Sequence, residues 1–102
     1  MRSNPRVNPA LPEAAERRVE ERYAASGAIT LTFDDPVHRV LQGDLLDYSG
    51  SGFRATHDHR ALHTGDVVEF QHPFAQGIAR VIWNRILDAH VESGFLVLQI
   101  RQ

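Results

Sequence analysis

The fold class the chain predicts is all-β, a closed six-stranded antiparallel barrel, and three observations predict it. Between Ile29 and Ile100 apolar and polar residues alternate over short runs of strand length. Turn-forming stretches separate the runs, among them Asp34-Asp35-Pro36, Ser49-Gly50-Ser51-Gly52 and Thr64-Gly65-Asp66. Strands this short and this numerous are better closed than open, because closure removes the unpaired edges that a sheet would otherwise expose. At 102 residues there is room for one domain with a modest core and none for a second.

Residues 1–11 hold prolines at positions 5 and 9 among asparagine and serine, and read as a mobile leader with too little apolar surface to fold. A single domain is expected over 12–102, with an arginine-rich segment at 12–26 and the barrel at 28–101. From Pro12 to Ala25 helix formers dominate, with proline near the start and Gly27 past the end, so local propensity predicts a helix. The bland account of that segment is a solvated helix with Glu13 and Arg17 paired at i,i+4. It leaves Arg18 and Arg22 unexplained: they are like charges at the same spacing, costing a few tenths of a kcal/mol unless an anion neutralises them.

Ile29 to Phe33 alternates as the first barrel strand, ended by Asp34-Asp35-Pro36. Val37 to Asp47 is the second, and its apolar positions change parity between Leu41 and Leu46, which predicts a bulge at Gly43. Phe53 to Thr56 is the third, with Phe53 and Ala55 facing the core. Leu62-His63-Thr64-Gly65-Asp66 turns the chain into the fourth, Val67 to Gln71, closed by Pro73. Ile78 to Ile86 is the fifth, with Ala79, Val81 and Trp83 on one face and Ile78, Ile82 and Ile86 on the other. Gly94 to Ile100 is the last, and its run Phe95-Leu96-Val97-Leu98 suits a strand buried on both faces or a surface that receives a partner. Trp83 and Phe95 are expected in the core and not as stacking platforms.

A formal net charge of −2 argues against general nucleic-acid binding, which relies on many cations meeting phosphates. The basic residues are all arginines, suited to planar bidentate and stacking contacts. No apolar run has the length to insert in a membrane, and the first residues lack the apolar region of a secretory signal, so a cytoplasmic location is expected. Without cysteine there are no disulfides, thiolate ligands or cysteine nucleophiles.

The function-bearing stretch is Asp47-Tyr48-Ser49-Gly50-Ser51-Gly52. In an extended chain Asp47 and Ser49 share one face, an acceptor beside a hydroxyl, while Leu46 and Tyr48 point the other way. Alone, this D-x-S-x-x-G reads as a serine-rich turn. Preceded by Arg18-Val19-Glu20-Glu21-Arg22, with Arg17 in front, and in register with the strand pattern, it resembles the PilZ domain, a bacterial receptor module for cyclic di-GMP. The likeness covers about Arg17 to Ile100. It implies a PilZ-type barrel with a flexible or helical N-terminal arginine segment that folds over the nucleotide. Arg17, Arg18 and Arg22 then grip phosphates or the guanine O6/N7 edge, Asp47 and Ser49 meet the guanine N1–H and N2–H₂ edge, and Gly52 lets the chain pass close to the ring. Arg54 is a possible further contact, more readily read as a solvated strand residue.

The resemblance implies a binding and signalling role and not an enzyme: the ligand is cyclic di-GMP, no cofactor or metal is needed, and an unidentified effector protein receives the signal. Many PilZ domains carry a helix after the last strand. In its place, the bottom of the barrel or one apolar face of the final strands is expected to be covered by another subunit, as in a homodimer. Two rivals remain. One keeps the barrel as a protein-interaction module without nucleotide. The other is a metal-dependent hydrolase built on His57, His59 and His63, three imidazoles within seven residues, weakened by their position at a strand end and the lack of a firm fourth ligand.

Overall fold

A computed structural model describes residues 20–34 and 37–101. The elements in order are β1 (Tyr23–Ala24), β2 (Ala28–Phe33), β3 (Arg39–Tyr48), β4 (Gly52–His57), β5 (Val67–His72), β6 (Ala75–Leu87) and β7 (His90–Ile100). All pairings are antiparallel. The sheet runs β1-β3-β2-β5-β6-β7-β4, and an additional β3–β4 pairing closes β2 to β7 into a six-stranded barrel.

The alternation that predicts the strands also fills the barrel. Ile29, Leu31 and Phe33 of β2, Leu45 of β3, Phe53 and Ala55 of β4, Val68 and Phe70 of β5, Ala79 and Val81 of β6, and Phe95 of β7 point inward and are buried. At one end Phe53 is the hub, its ring stacked on Phe95 and tilted on Phe70, each with centroids 4.7 Å away. Leu62 enters the core from the loop between β4 and β5.

Three sequence expectations are corrected. The helix over residues 12–25 is absent where it can be tested: Tyr23–Ala24 is a strand paired with Tyr48 and Asp47, and the Ala25 amide donates to the Leu46 carbonyl at 3.0 Å. Sheet hydrogen bonds override helix propensity there; residues 12–19 lie outside the described residues, as do the leader 1–11 and both Arg17 and Arg18. The bulge of β3 is not at Gly43, which stays in register opposite Ile29. It falls at Leu46, the extra residue where pairing with β4 steps from Leu45–Ala55 to Asp47–Arg54. The third correction concerns Trp83, which is 36 % exposed and not a core residue. A second bulge accounts for it: Val81 pairs with Phe95 but Trp83 pairs with Gly94, so Ile82 is the extra residue and every side chain beyond it changes face.

At the other end of the barrel a buried polar chain runs beside Leu62 and Val91. His57 Nδ1 accepts from the His59 amide at 3.1 Å, so the ring proton sits on Nε2 and donates to Ser93 Oγ at 2.8 Å. Ser93 donates to Asn84 Oδ1, and Asn84 donates to the Leu62 carbonyl at 2.8 Å, pinning the loop that carries Leu62. Burial holds His57 and His72 below the ordinary histidine range. His59, next to the chain end of this network, is also lowered, first by burial and then by Arg39. A depressed histidine binds its proton more readily when unfolded, so its contribution to stability is whole above about pH 6.5 and is lost as the pH falls through the folded value. Thermal melting should therefore show a lower midpoint at pH 5 than at pH 7.5; an unchanged midpoint contradicts the buried neutral assignment.

Candidate functional site

The two bulges decide which side chains meet on the outside of the barrel. The Leu46 bulge turns Asp47 outward opposite Arg54 while Tyr48 still faces in opposite Phe53. Across β4 and β7 Arg54 lies opposite Gly94, and across β7 and β6 Gly94 lies opposite Trp83. Asp47, Arg54, Gly94 and Trp83 thus form one row over four neighbouring strands. Gly94 makes the row possible, because a Cβ there would overlap the Trp83 indole nitrogen. The indole lies against bare backbone on the side toward Arg54.

The strand β1 brings in the arginine. With Tyr23 paired to Tyr48 and its ring 5.4 Å from the Tyr48 ring, Arg22 is set beside the Asp47–Gly52 turn. Its Nη2 donates to Asp47 Oδ1 at 2.7 Å, and its Nη1 reaches Ser49 Oγ at 3.4 Å. Arg54 Nε donates to the other carboxylate oxygen, Asp47 Oδ2, at 2.8 Å. Burial pushes the Asp47 carboxyl up, but hydrogen bonds from Arg54 and Arg22 outweigh it and hold the group below the usual aspartate range. Arg54 is correspondingly raised, first by its bond to Asp47. Glu20 sits at the edge of the same turn, its carboxylate accepting from Ser51 Oγ at 2.8 Å.

Of the residues singled out from sequence, Arg22, Asp47 and Ser49 come together, 25 and 27 positions apart along the chain. Gly52 lies at the start of β4, but the Cβ it lacks would overlap the Phe95 carbonyl oxygen, so its small size serves the approach of β7. Arg54 is no solvated bystander; it shares Asp47 with Arg22. Asp47 has both oxygens taken by arginine, so a guanine edge reaches this carboxylate only by displacing one of them. His57, His59 and His63 do not converge: His57 points inward with both ring nitrogens engaged, while the His63 side chain is 80 % exposed. Among the described residues no group of three or more histidine, aspartate or glutamate side chains is arranged to hold a metal ion.

Trp83 is the functional candidate that sequence reading missed, since its exposure depends on a bulge that apolar periodicity does not mark. Together with Arg22, Ser51, Gly52, Arg54 and Leu96 it lines an open hollow of about 220 Å³. The floor of this hollow is aromatic and its rim cationic. A larger hollow of about 510 Å³ elsewhere is lined by Asp34, Asp66 and Glu69, a lining that repels anions. The outer surface of β6 and β7 beside Trp83 is apolar, with Ile82, Leu96 and Leu98 exposed. Among the described residues no helix is long and apolar enough to cross a membrane. A scan against protein-family models finds no match for this chain, and no curated protein matches it.

Proposed function

We propose that the chain is a receptor for cyclic di-GMP that acts by binding and not by catalysis, and that passes the binding event to a partner protein. The observation that carries this reading is the meeting of Arg22 with Asp47 and Ser49. Arg22, the described member of the arginine motif that resembles that of the PilZ domain, stands just before β1 and meets the Asp47–Ser49 part of the second motif on one outer patch of the barrel. A guanidinium that can grip a phosphate, a carboxylate and hydroxyl that can meet a guanine edge, and an indole that can carry a planar base are the groups such a ligand requires.

The ion pair between Arg22 and Asp47 gives the binding event a consequence. A phosphate draws Arg22 away from Asp47, and the freed carboxylate oxygen takes the guanine N–H groups. Among the described residues the arginine segment is tied to the barrel by this pair, the Glu20–Ser51 contact, the Ala25–Leu46 backbone bond and a two-residue strand, so the exchange re-sets its docking. The expected signal is a change in amide hydrogen exchange over Glu20 to Ala25 on adding cyclic di-GMP. Equal protection with and without ligand means that the segment is a fixed wall of the site. Trp83 is the single tryptophan, so its emission reports the same titration from the floor of the hollow.

Exposed Ile82, Leu96 and Leu98 beside the site favour a second role for the same surface, protein interaction through β6 and β7. In the proposed scheme this is the output side of the receptor.

A further inference from the structure

Glu92 faces outward from β7 and is nevertheless 5 % exposed, because arginines from the strands on either side close over it. Arg54 Nη1 donates to Glu92 Oε2 at 3.1 Å, and Arg85 Nη2 donates to Oε1 at 2.7 Å. Asp47 is built the same way between Arg22 and Arg54. The charges therefore alternate across the barrel as Arg22, Asp47, Arg54, Glu92 and Arg85, three guanidiniums against two carboxylates. Each carboxylate holds two like charges side by side, and the surplus along the row is positive.

Only the Asp47 half of this ladder belongs to the sequence motifs. The Glu92 half repeats its construction next to the same indole. Trp83 and Arg85 lie two residues apart on the outer face of β6, about 7 Å along the strand. The indole thus has Arg54 across Gly94 and Arg85 beside it. Arg85 spends Nη2 on Glu92, and its side chain is 62 % exposed.

The geometry points to a second anion subsite formed by Arg54 and Arg85, with Glu92 as the positioning residue that holds both guanidiniums. It takes the second anionic group of a ligand whose ring rests on Trp83 and whose first phosphate meets Arg22. The class selected is a nucleotide with two separated phosphates. That choice of ligand rests on the reading under Proposed function, whereas the subsite rests on the charge ladder.

Two experiments separate these levels. In the first, wild-type, Arg22→Ala and Arg85→Ala proteins are titrated with cyclic di-GMP and with GMP, which has one phosphate. Arg22→Ala should weaken both ligands, and Arg85→Ala should weaken cyclic di-GMP by about tenfold while leaving GMP unchanged. No loss for the dinucleotide in Arg85→Ala, or an equal loss for both ligands, overturns the subsite. In the second, guanidinium ¹⁵N resonances are followed while inorganic pyrophosphate is added. Saturable shifts at Arg54 and Arg85 uphold the subsite even if cyclic di-GMP does not bind, in which case the receptor reading alone falls. An unshifted Arg85 overturns the subsite even if the nucleotide binds.

Discussion

Phe53→Ala should cost about 3–5 kcal/mol, enough to remove most of the stability of a domain whose total is about 5–15 kcal/mol. The ring is 1 % exposed, stacks on Phe95, tilts on Phe70 and meets His72 edge-on at 5.2 Å. Its loss leaves a cavity bounded by three strands that closure of the barrel prevents from collapsing. Trp83→Ala is the informative companion, since the larger side chain lies outside over Gly94. It should cost about 1–2 kcal/mol, from the apolar area it covers, and should remove ligand binding. Denaturant midpoints of the two variants check this. A Trp83→Ala midpoint as low as that of Phe53→Ala returns the indole to the core and removes it from the site.

The second large effect is expected of Asp47→Asn. The carboxylate is the only link between Arg22 and Arg54 in the described residues, and its side chain is 10 % exposed. Bonds to charged partners are worth about 1.5–3 kcal/mol each when shielded. Here the arginine side chains keep 45 % and 40 % exposure, so solvent screening reduces the combined loss to about 1–2 kcal/mol. Because the folded carboxyl lies below its unfolded value of about 3.9, its contribution is whole above that pH and is lost as the pH falls through the folded value. The variant should therefore be less stable than the wild type at pH 6, and the difference should shrink toward pH 2–3. A constant gap across that range contradicts the ion-pair account. Ligand affinity should fall by an order of magnitude or more, because both arginines lose their charged anchor and the proposed guanine contact keeps one neutral acceptor oxygen in place of a carboxylate.

The strands were legible because a barrel strand exposes one face and buries the other. Ile29, Leu31 and Phe33 announce β2 by alternation, and Phe53 and Ala55 announce the inner face of β4. What alternation does not contain is the single added residue. Leu46 and Ile82 each shift the parity of all that follows, and those shifts turn Asp47 and Trp83 outward. The changed parity of β3 is visible in sequence, but Gly43, where it predicts the bulge, lies three residues before Leu46. The docking of Arg22 was legible only as a pair of motifs. Propensity favoured a helix over Tyr23–Ala24, whereas pairing with Tyr48 and Asp47 extends the chain and aims the guanidinium at the turn. Glu92 carried no such signal: within Val91-Glu92-Ser93-Gly94-Phe95 it is one acidic residue in an apolar strand, and its importance follows from register with Arg85 across β6 and with Thr56, next to Arg54's row, across β4.

Whether Arg22 and the Asp47–Ser49 turn form one cyclic di-GMP site is decided by calorimetric titration of wild-type and Arg22→Ala proteins at two salt concentrations. Expected are saturable binding by the wild type that weakens as salt rises, and a loss of tenfold or more on Arg22→Ala with the fold retained and the melting temperature lowered by only about 2–6 °C. Absence of binding by folded wild-type protein, or equal affinity in the Arg22→Ala variant, contradicts it.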